Sequence, residues 1–247
     1  MLDIHPDELA PQVRGRLSDG FDGYNVTVPH KVRILPLLDE TSDSAREVGA
    51  VNTVVRKDGR LTGHNTDAMG FEESLRPFGP SLSDTEAAVI GSGGAARAAV
   101  HVLLRKFAPS RVHILSRNHE QAVHLRESVP SEFRHRVDVV SGNPETVETA
   151  LRSTLIVQAT PVGMYPNAGD RPLPGSTVFR EGQVVFDLVY RPRETAFLRD
   201  ARRAGAEVIG GLEMFLYQAA AAFRLWTGAT APLEAIRPII EEEIDKP

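Results

Sequence analysis

The chain has 247 residues, 41% of them hydrophobic and 25% charged; 33 acidic against 28 basic side chains leave a net charge of −5, and there is no cysteine. Such a chain folds with core enough for one large domain or two modest ones, and two are favoured, while the acidic balance gives no support to a nucleic-acid surface. No stretch approaches the length of a membrane span, no basic segment followed by an apolar one opens the chain, and disulfides and thiolate metal sites are excluded, so a soluble cytoplasmic protein is expected.

Residues 1 to 20 read as polar and helical, with Pro11 interrupting a long helix and Asp19-Gly20 marking a turn. Gly23 to Pro29 alternates as a short strand does, and His30 to Asp39 reads as a helix whose apolar face is Val32, Ile34, Leu35, Leu37 and Leu38, broken by Pro36. Val51 to Val55 and Arg60 to Gly63 flank Lys57-Asp58-Gly59, a hairpin with Asp-Gly in the turn. A helix begins near Asp67.

From residue 86 strands and helices alternate regularly. Glu86 to Asn118 parses as strand, glycine turn, helix and second strand, one βαβ unit. Further elements are a helix near His119 to Ser128, a strand at Arg136 to Val140, and a helix opening at Asn143-Pro144, where asparagine caps and proline suits the first turn. Strands follow at Thr154 to Thr160, Gln183 to Tyr190 and Glu207 to Ile209. This alternation predicts a parallel sheet covered on both faces. Pro161 to Gly182, irregular and rich in proline and glycine, leaves the C-terminal end of a strand, where ligands bind in such folds. Leu212 to Trp226 reads as a long helix, apolar on most sides and so substantially buried, ended by Gly228; Leu233 to Ile244 is a terminal helix.

In the βαβ unit, Gly91 and Gly93 with Ala96 in the third place fit the dinucleotide fingerprint: a tight turn, close approach of a pyrophosphate, and close packing of helix on strand. The turn Gly91, Ser92, Gly93, Gly94 and Ala95 is the expected seat of the phosphates, under free N–H groups of the helix. At the end of the second strand stand Ser116, Arg117 and Asn118, where an NAD-binding unit carries an acid for the ribose 2′-hydroxyl. A guanidinium there suits a 2′-phosphate, so NADP is favoured over NAD. The eight histidines show no ligand spacing, and no metal is expected.

Eight segments in order carry a resemblance to the shikimate dehydrogenase family: Asn25-Val-Thr-Val-Pro-His-Lys31, Gly49-Ala-Val-Asn52-Thr53, Asn65-Thr-Asp67, Gly91-Ser-Gly-Gly-Ala-Ala-Arg97, Ser116-Arg-Asn118, Ala159-Thr-Pro-Val-Gly-Met164, Asp187-Leu-Val-Tyr190, and Gly211-Leu-Glu-Met214 with Gln218. The resemblance implies a Rossmann-like parallel-sheet dinucleotide domain plus a smaller α/β substrate lobe, divided as 1–66, 67–211 and 212–247, the last part returning to the substrate lobe. It also implies NADP-dependent, reversible oxidation of shikimate to 3-dehydroshikimate. Lys31 and Asp67 would be the acid–base pair, the lysine exchanging the hydroxyl proton and the carboxylate orienting it. Thr27, Asn52, Gln218 and Tyr190 would line the substrate cleft. Thr160, Met164, Gly211 and Met214 would lie near the cofactor, Met214 equally a core residue.

The family normally opens on a strand and a loop with Gly-x-Pro and then His-Ser-x-Ser, whose serines hold the substrate carboxylate. This sequence shows no such loop, so the expected substrate lobe is shortened at its N-terminus, with exposed sheet edges that favour pairing into a homodimer. Two readings stay open: a shikimate dehydrogenase, or a relative that binds a dinucleotide with little or no turnover. Within the enzyme class, quinate or a related hydroxy acid is an alternative substrate, and Arg117 weighs against an NAD-dependent quinate enzyme.

Overall fold

The computed structural model describes residues 2–15, 21–140, 143–173 and 179–245. The Asp19-Gly20 turn and part of the Pro161 to Gly182 segment lie outside them. The described residues build two sheets, one mixed and one wholly parallel.

The N-terminal part gives α1 (Leu9–Arg14), β1 (Gly23–Asn25), β2 (Glu40–Thr41), α2 (Asp43–Val48), β3 (Thr53–Lys57) and β4 (Arg60–His64). Its four strands are ordered β1-β3-β4-β2, with β3 and β4 antiparallel and β2 parallel to β4. The Asp-Gly hairpin is present: Asp58 and Gly59 both have positive φ, 51° and 78°, as the tight turn between right-twisted strands requires.

The helix expected over residues 30–39 does not form. The segment is a run of turns with a short 3-10 helix at Leu35–Leu37. Pro36 has no N–H with which to continue an α-helical ladder, and the Lys31 carbonyl that such a ladder would use accepts from the Val51 N–H instead. Four of its five apolar residues are still used, since Ile34 is fully buried with Val26, Val51 and Val54, and Leu35, Leu37 and Leu38 pack against them, while Val32 is exposed. The strand expected from Gly23 to Pro29 stops at Asn25. α2 was not foreseen, although its ends are marked: Ser42 accepts from the Ala45 N–H at 3.3 Å, and Gly49 closes it at φ 69°.

α3 (Asp67–Leu75) leads into the second sheet. Its elements are β5 (Glu86–Ile90), α5 (Gly94–Val102), β6 (Arg111–Leu115), α6 (His119–Ser128), β7 (Val137–Val140), α8 (Pro144–Ala150), β8 (Leu155–Gln158), β9 (Val184–Asp187), α9 (Ala196–Arg203) and β10 (Glu207–Ile209); α4 (Gly79–Leu82) and α7 (Ser131–Arg134) are single turns. All five strand pairings are parallel and the order is β10-β9-β8-β5-β6-β7. Successive connections therefore run outward from β5 in one direction and, beginning with β8, in the other. The order reverses between β5 and β8, and the crevice beyond their C-terminal ends is where such sheets bind ligands. Both faces are covered: Ala96, Ala99 and Val100 of α5 and Phe71 of α3 pack on one, Phe197, Leu198 and Ala201 of α9 on the other. The rings of Phe71 and Phe186 stack at 5.2 Å, fixing α3 to β9.

α10 (Gly211–Thr227) and α11 (Leu233–Asp245) complete the chain. α10 packs along α3, with Gly70 at the crossing, and its far end reaches the small sheet, where Trp226 Nε1 donates to the Val54 carbonyl at 3.0 Å. Burial of α10 is confined to its first part and one residue beyond. Leu212, Met214, Leu216 and Ala222 are buried, as expected of a substantially buried helix, but its last turn is not: Phe223 and Leu225 are 39% and 37% exposed. The reason is positional: past Gln218 the helix has left the large core and meets the small sheet by one side only.

Candidate active site

Lys31 and Asp67 come from different elements and meet. Lys31 follows β1 in a turn whose backbone is held by the Val51 N–H donating to the Lys31 carbonyl at 2.7 Å. Asp67 is the first residue of α3, where the free N–H groups and dipole of the helix favour a carboxylate. The Lys31 Nζ donates to Asp67 Oδ2 at 2.7 Å, with side-chain exposures of 15% and 7%. The other oxygen, Oδ1, accepts from Asn52 Nδ2 at 2.8 Å.

Asn52 is the hub of this cluster. Its amide also donates to Thr66 Oγ1 at 2.9 Å and faces Gln218 Oε1 at 3.4 Å, while its carbonyl oxygen accepts from the Thr66 N–H at 2.7 Å. Thr53 Oγ1 lies 3.1 Å from Thr66 Oγ1, and Asn25 Nδ2 donates to Thr53 at 3.1 Å. Asn65 ties the two motifs by donating to the Ala50 carbonyl and accepting from the Ala68 N–H, both at 2.9 Å. Buried polar groups are costly unless bonded, so this net fixes the geometry of the pair.

Of the residues expected in a substrate cleft, Asn52 and Gln218 stand at the pair. Thr27 is exposed in the turn before Lys31, its carbonyl accepting from the His30 N–H. Tyr190 is half-exposed and reaches the cluster through α10: its ring stacks on Phe215 at 4.5 Å, and the Phe215 carbonyl accepts from Gln218 Nε2 at 3.1 Å. Sequence reasoning missed Thr53, Thr66 and Asn65 as members of the net. The signal was their position beside Asn52 and Asp67 in polar motifs at strand ends.

The glycine turn opens at the reversal point of the sheet. Gly91 has φ 119°, and a Cβ there would lie 3.1 Å from the Ala159 carbonyl oxygen and from Thr160. Gly93 has open space where a side chain would stand. The approach to the N-terminus of α5 is thus clear backbone, the chemistry a pyrophosphate requires. Ser92 Oγ lies 2.9 Å from Ser116 Oγ, and Asn118 Oδ1 caps α6 by accepting from the Gln121 N–H at 2.9 Å. Arg117 between them is exposed. Thr160 Oγ1 accepts from the Val162 N–H at 3.2 Å, so it shapes its own loop; Met164 is exposed, and Gly211 and Met214 are buried, Met214 within the large core. The two halves of the site adjoin: a Cβ on Gly94 would come within 3.0 Å of the Lys31 side chain.

Two family models match, the shikimate dehydrogenase substrate binding domain over residues 1–54 and the shikimate 5'-dehydrogenase C-terminal domain over residues 211–241. The shikimate dehydrogenase (NADP(+)) of Salinibacter ruber is 44% identical over 238 residues, covering 94% of this chain and 82% of that protein. The chain belongs to the shikimate dehydrogenase family. Among solved members, the Thermus thermophilus shikimate 5-dehydrogenase in complex with NADP(H) and shikimate superposes with a TM-score of 0.82 at 36% identity, over 98% of this chain and 86% of that one. The quinate dehydrogenase of Corynebacterium glutamicum in complex with NAD gives 0.83 at 32% identity, over 95% and 82%. The Rossmann-like parallel sheet beside a smaller α/β part, expected from the sequence, is the architecture of this shikimate dehydrogenase family member.

Proposed function

We propose that this protein catalyses the NADP-dependent, reversible oxidation of the ring 3-hydroxyl of shikimate to 3-dehydroshikimate, with Lys31 and Asp67 as its acid–base pair. The single observation that carries the reading is the Lys31–Asp67 contact at 2.7 Å, set beside Gly94 of the dinucleotide turn. Oxidation removes a hydroxyl proton together with a hydride; when bound, NADP supplies the hydride acceptor. The chain's own part is proton handling and orientation. As the neutral amine Lys31 Nζ takes the hydroxyl proton, and the ammonium so formed, placed by Asp67 that Asn52 holds, returns it in reduction. Asn52, Thr27 and Gln218 offer the amide and hydroxyl groups that a polyol's other hydroxyls need, with Tyr190 at the cleft wall.

The cofactor fits the residues present. Gly91, Ser92, Gly93, Gly94 and Ala95 leave the phosphates free access to backbone N–H groups, while Ser116, Arg117 and Asn118 face the adenosine end, Arg117 offering a donor fork to the 2′-phosphate. Thr160, Met164, Gly211 and Met214 go with the nicotinamide side. In this reading residues 1–66 and 212–247 form the substrate lobe and 67–211 the cofactor domain. A homodimer paired through an exposed sheet edge goes with the same reading.

The test is the initial rate of shikimate oxidation with NADP and then NAD, with Lys31→Ala as control. Turnover with NADP that falls about a hundredfold or more in the variant is expected. Tight NADP binding without turnover would leave a dinucleotide-binding relative.

A further inference from the structure

Asp187 is a buried acid that the reaction above does not use. It ends β9, its exposure is 0%, and its two carboxylate oxygens are committed to two different places. Oδ1 accepts from the Val189 N–H at 3.0 Å and Oδ2 accepts from the Thr195 hydroxyl at 2.6 Å. Thr195, equally buried, in turn caps α9 by accepting from the Leu198 N–H at 3.2 Å. One side chain therefore fastens the start of the 188–194 segment and its end.

That segment touches both halves of the site. Tyr190 stacks on Phe215 one turn from Gln218, the Val189 carbonyl accepts from the Gly211 N–H at 3.3 Å, and the Arg191 carbonyl accepts from the Tyr165 N–H at 2.9 Å, beside Met164. We propose that Asp187 is a positioning residue, whose buried carboxylate pins both ends of the 188–194 segment and thereby holds Tyr190 against Phe215 at the substrate cleft.

The ionised carboxylate accepts both bonds at once. Thr195 Oγ1 accepts from the Leu198 N–H and donates its own proton to Asp187. An amide, or a protonated acid, presents a donor to one of two partners that both donate. Burial raises the Asp187 carboxyl to about 7, against the lowering effect of the Thr195 and Val189 bonds. The charged groups on the packed elements are engaged elsewhere. Arg199 donates to the Glu194 carbonyl and Arg202 pairs with Glu194; Asp200 pairs with Arg171 and Arg203. On the segment itself, Arg191 lies over the Tyr165 ring and Arg193 pairs with Glu241 and Asp245. Opposite Asp187 in β8 stands Gln158, which is neutral.

The proposal rests on the shikimate reading, and its test separates the two. Asp187→Asn keeps the volume, and Thr195→Val and Thr195→Ser remove or keep the hydroxyl. For Asp187→Asn the expected result is about a tenfold or greater loss of kcat/KM for shikimate, carried mainly by KM, with NADP affinity unchanged. The acid limb of the wild-type profile of kcat/KM flattens. Thr195→Val follows Asp187→Asn, and Thr195→Ser restores the wild-type values. A variant that keeps the wild-type KM and pH profile, or loses every parameter in step with its folded fraction, overturns the proposal. If the wild-type chain itself does not oxidise shikimate, the functional reading fails. The positioning role is then judged by hydrogen exchange at Leu188, Val189 and Tyr190: selective acceleration in Asp187→Asn supports it, and unchanged exchange overturns it.

Discussion

The Asp67 carboxylate has two partners of different kinds, an ammonium on one oxygen and the Asn52 amide on the other, and only the first can exchange a proton. Removing the second should disturb the pair without deleting it. Asn52→Ala leaves Asp67 Oδ1 and the Thr66 N–H without their buried partner, a cost of about 1–3 kcal/mol for each unsatisfied group. The expected outcome is a lowered melting temperature together with a fall in kcat for shikimate, NADP affinity being retained; thermal denaturation and initial rates check it. At the other end of the site, Arg117→Ala should lower kcat/KM with NADP by about tenfold or more, as for the loss of a hydrogen bond to a charged group, and leave NAD turnover nearly unchanged. Parallel kinetics with the two cofactors read the ratio directly.

Among the elements, α3 and α10 decide whether Asp67 and Gln218 face each other. Gly70 lets these helices touch: a Cβ there would lie 2.6 Å from the Met214 carbonyl oxygen and 3.1 Å from Gln218. Gly70→Val should therefore force the helices apart, costing about 1–3 kcal/mol by overpacking and raising the KM for shikimate, as urea titration and kinetics would show. The sequence was informative at this scale where local signals act alone. His119 to Ser128 and Glu207 to Ile209 are the bounds of α6 and β10, the Asp-Gly hairpin formed, and Asn143-Pro144 opened α8. It misled at residues 30–39, where helical spacing of leucines was overruled by Pro36 and by a backbone bond that holds Lys31 to Val51. The polar net around Asn52 was half visible. Asn52 and Gln218 were read from motifs, but the linking roles of Thr53, Thr66 and Asn65 depend on contacts between β3, β4 and α3 that no local pattern encodes.

Across the whole molecule, buried titratable groups pull stability in opposite directions with pH. Burial pushes His101 below its ordinary 6.5, partly opposed by Glu47 of α2 at 3.3 Å, and burial pushes His64 the same way. Between its lowered value and 6.5 each histidine binds fewer protons folded than unfolded, so stability is lost as pH falls through that range. Asp187 behaves inversely: its value is raised from 3.8 to about 7, so the folded chain holds the extra proton and stability is lost as pH rises across that interval. Urea midpoints at pH 5, 6.5 and 8 should show His101→Gln gaining relative to wild type at the acid end. Both sheets also share α10, which runs from Gly211, bonded to Val189 just past β9, to Trp226 on β3. Trp226 is the chain's one tryptophan, and it sits where Gly23 leaves room for its indole. The small sheet thus carries its own optical reporter, whose emission shifts when that sheet opens, while far-ultraviolet ellipticity follows mainly the larger part; whether the two signals coincide on heating tells if the molecule melts as one unit or as two.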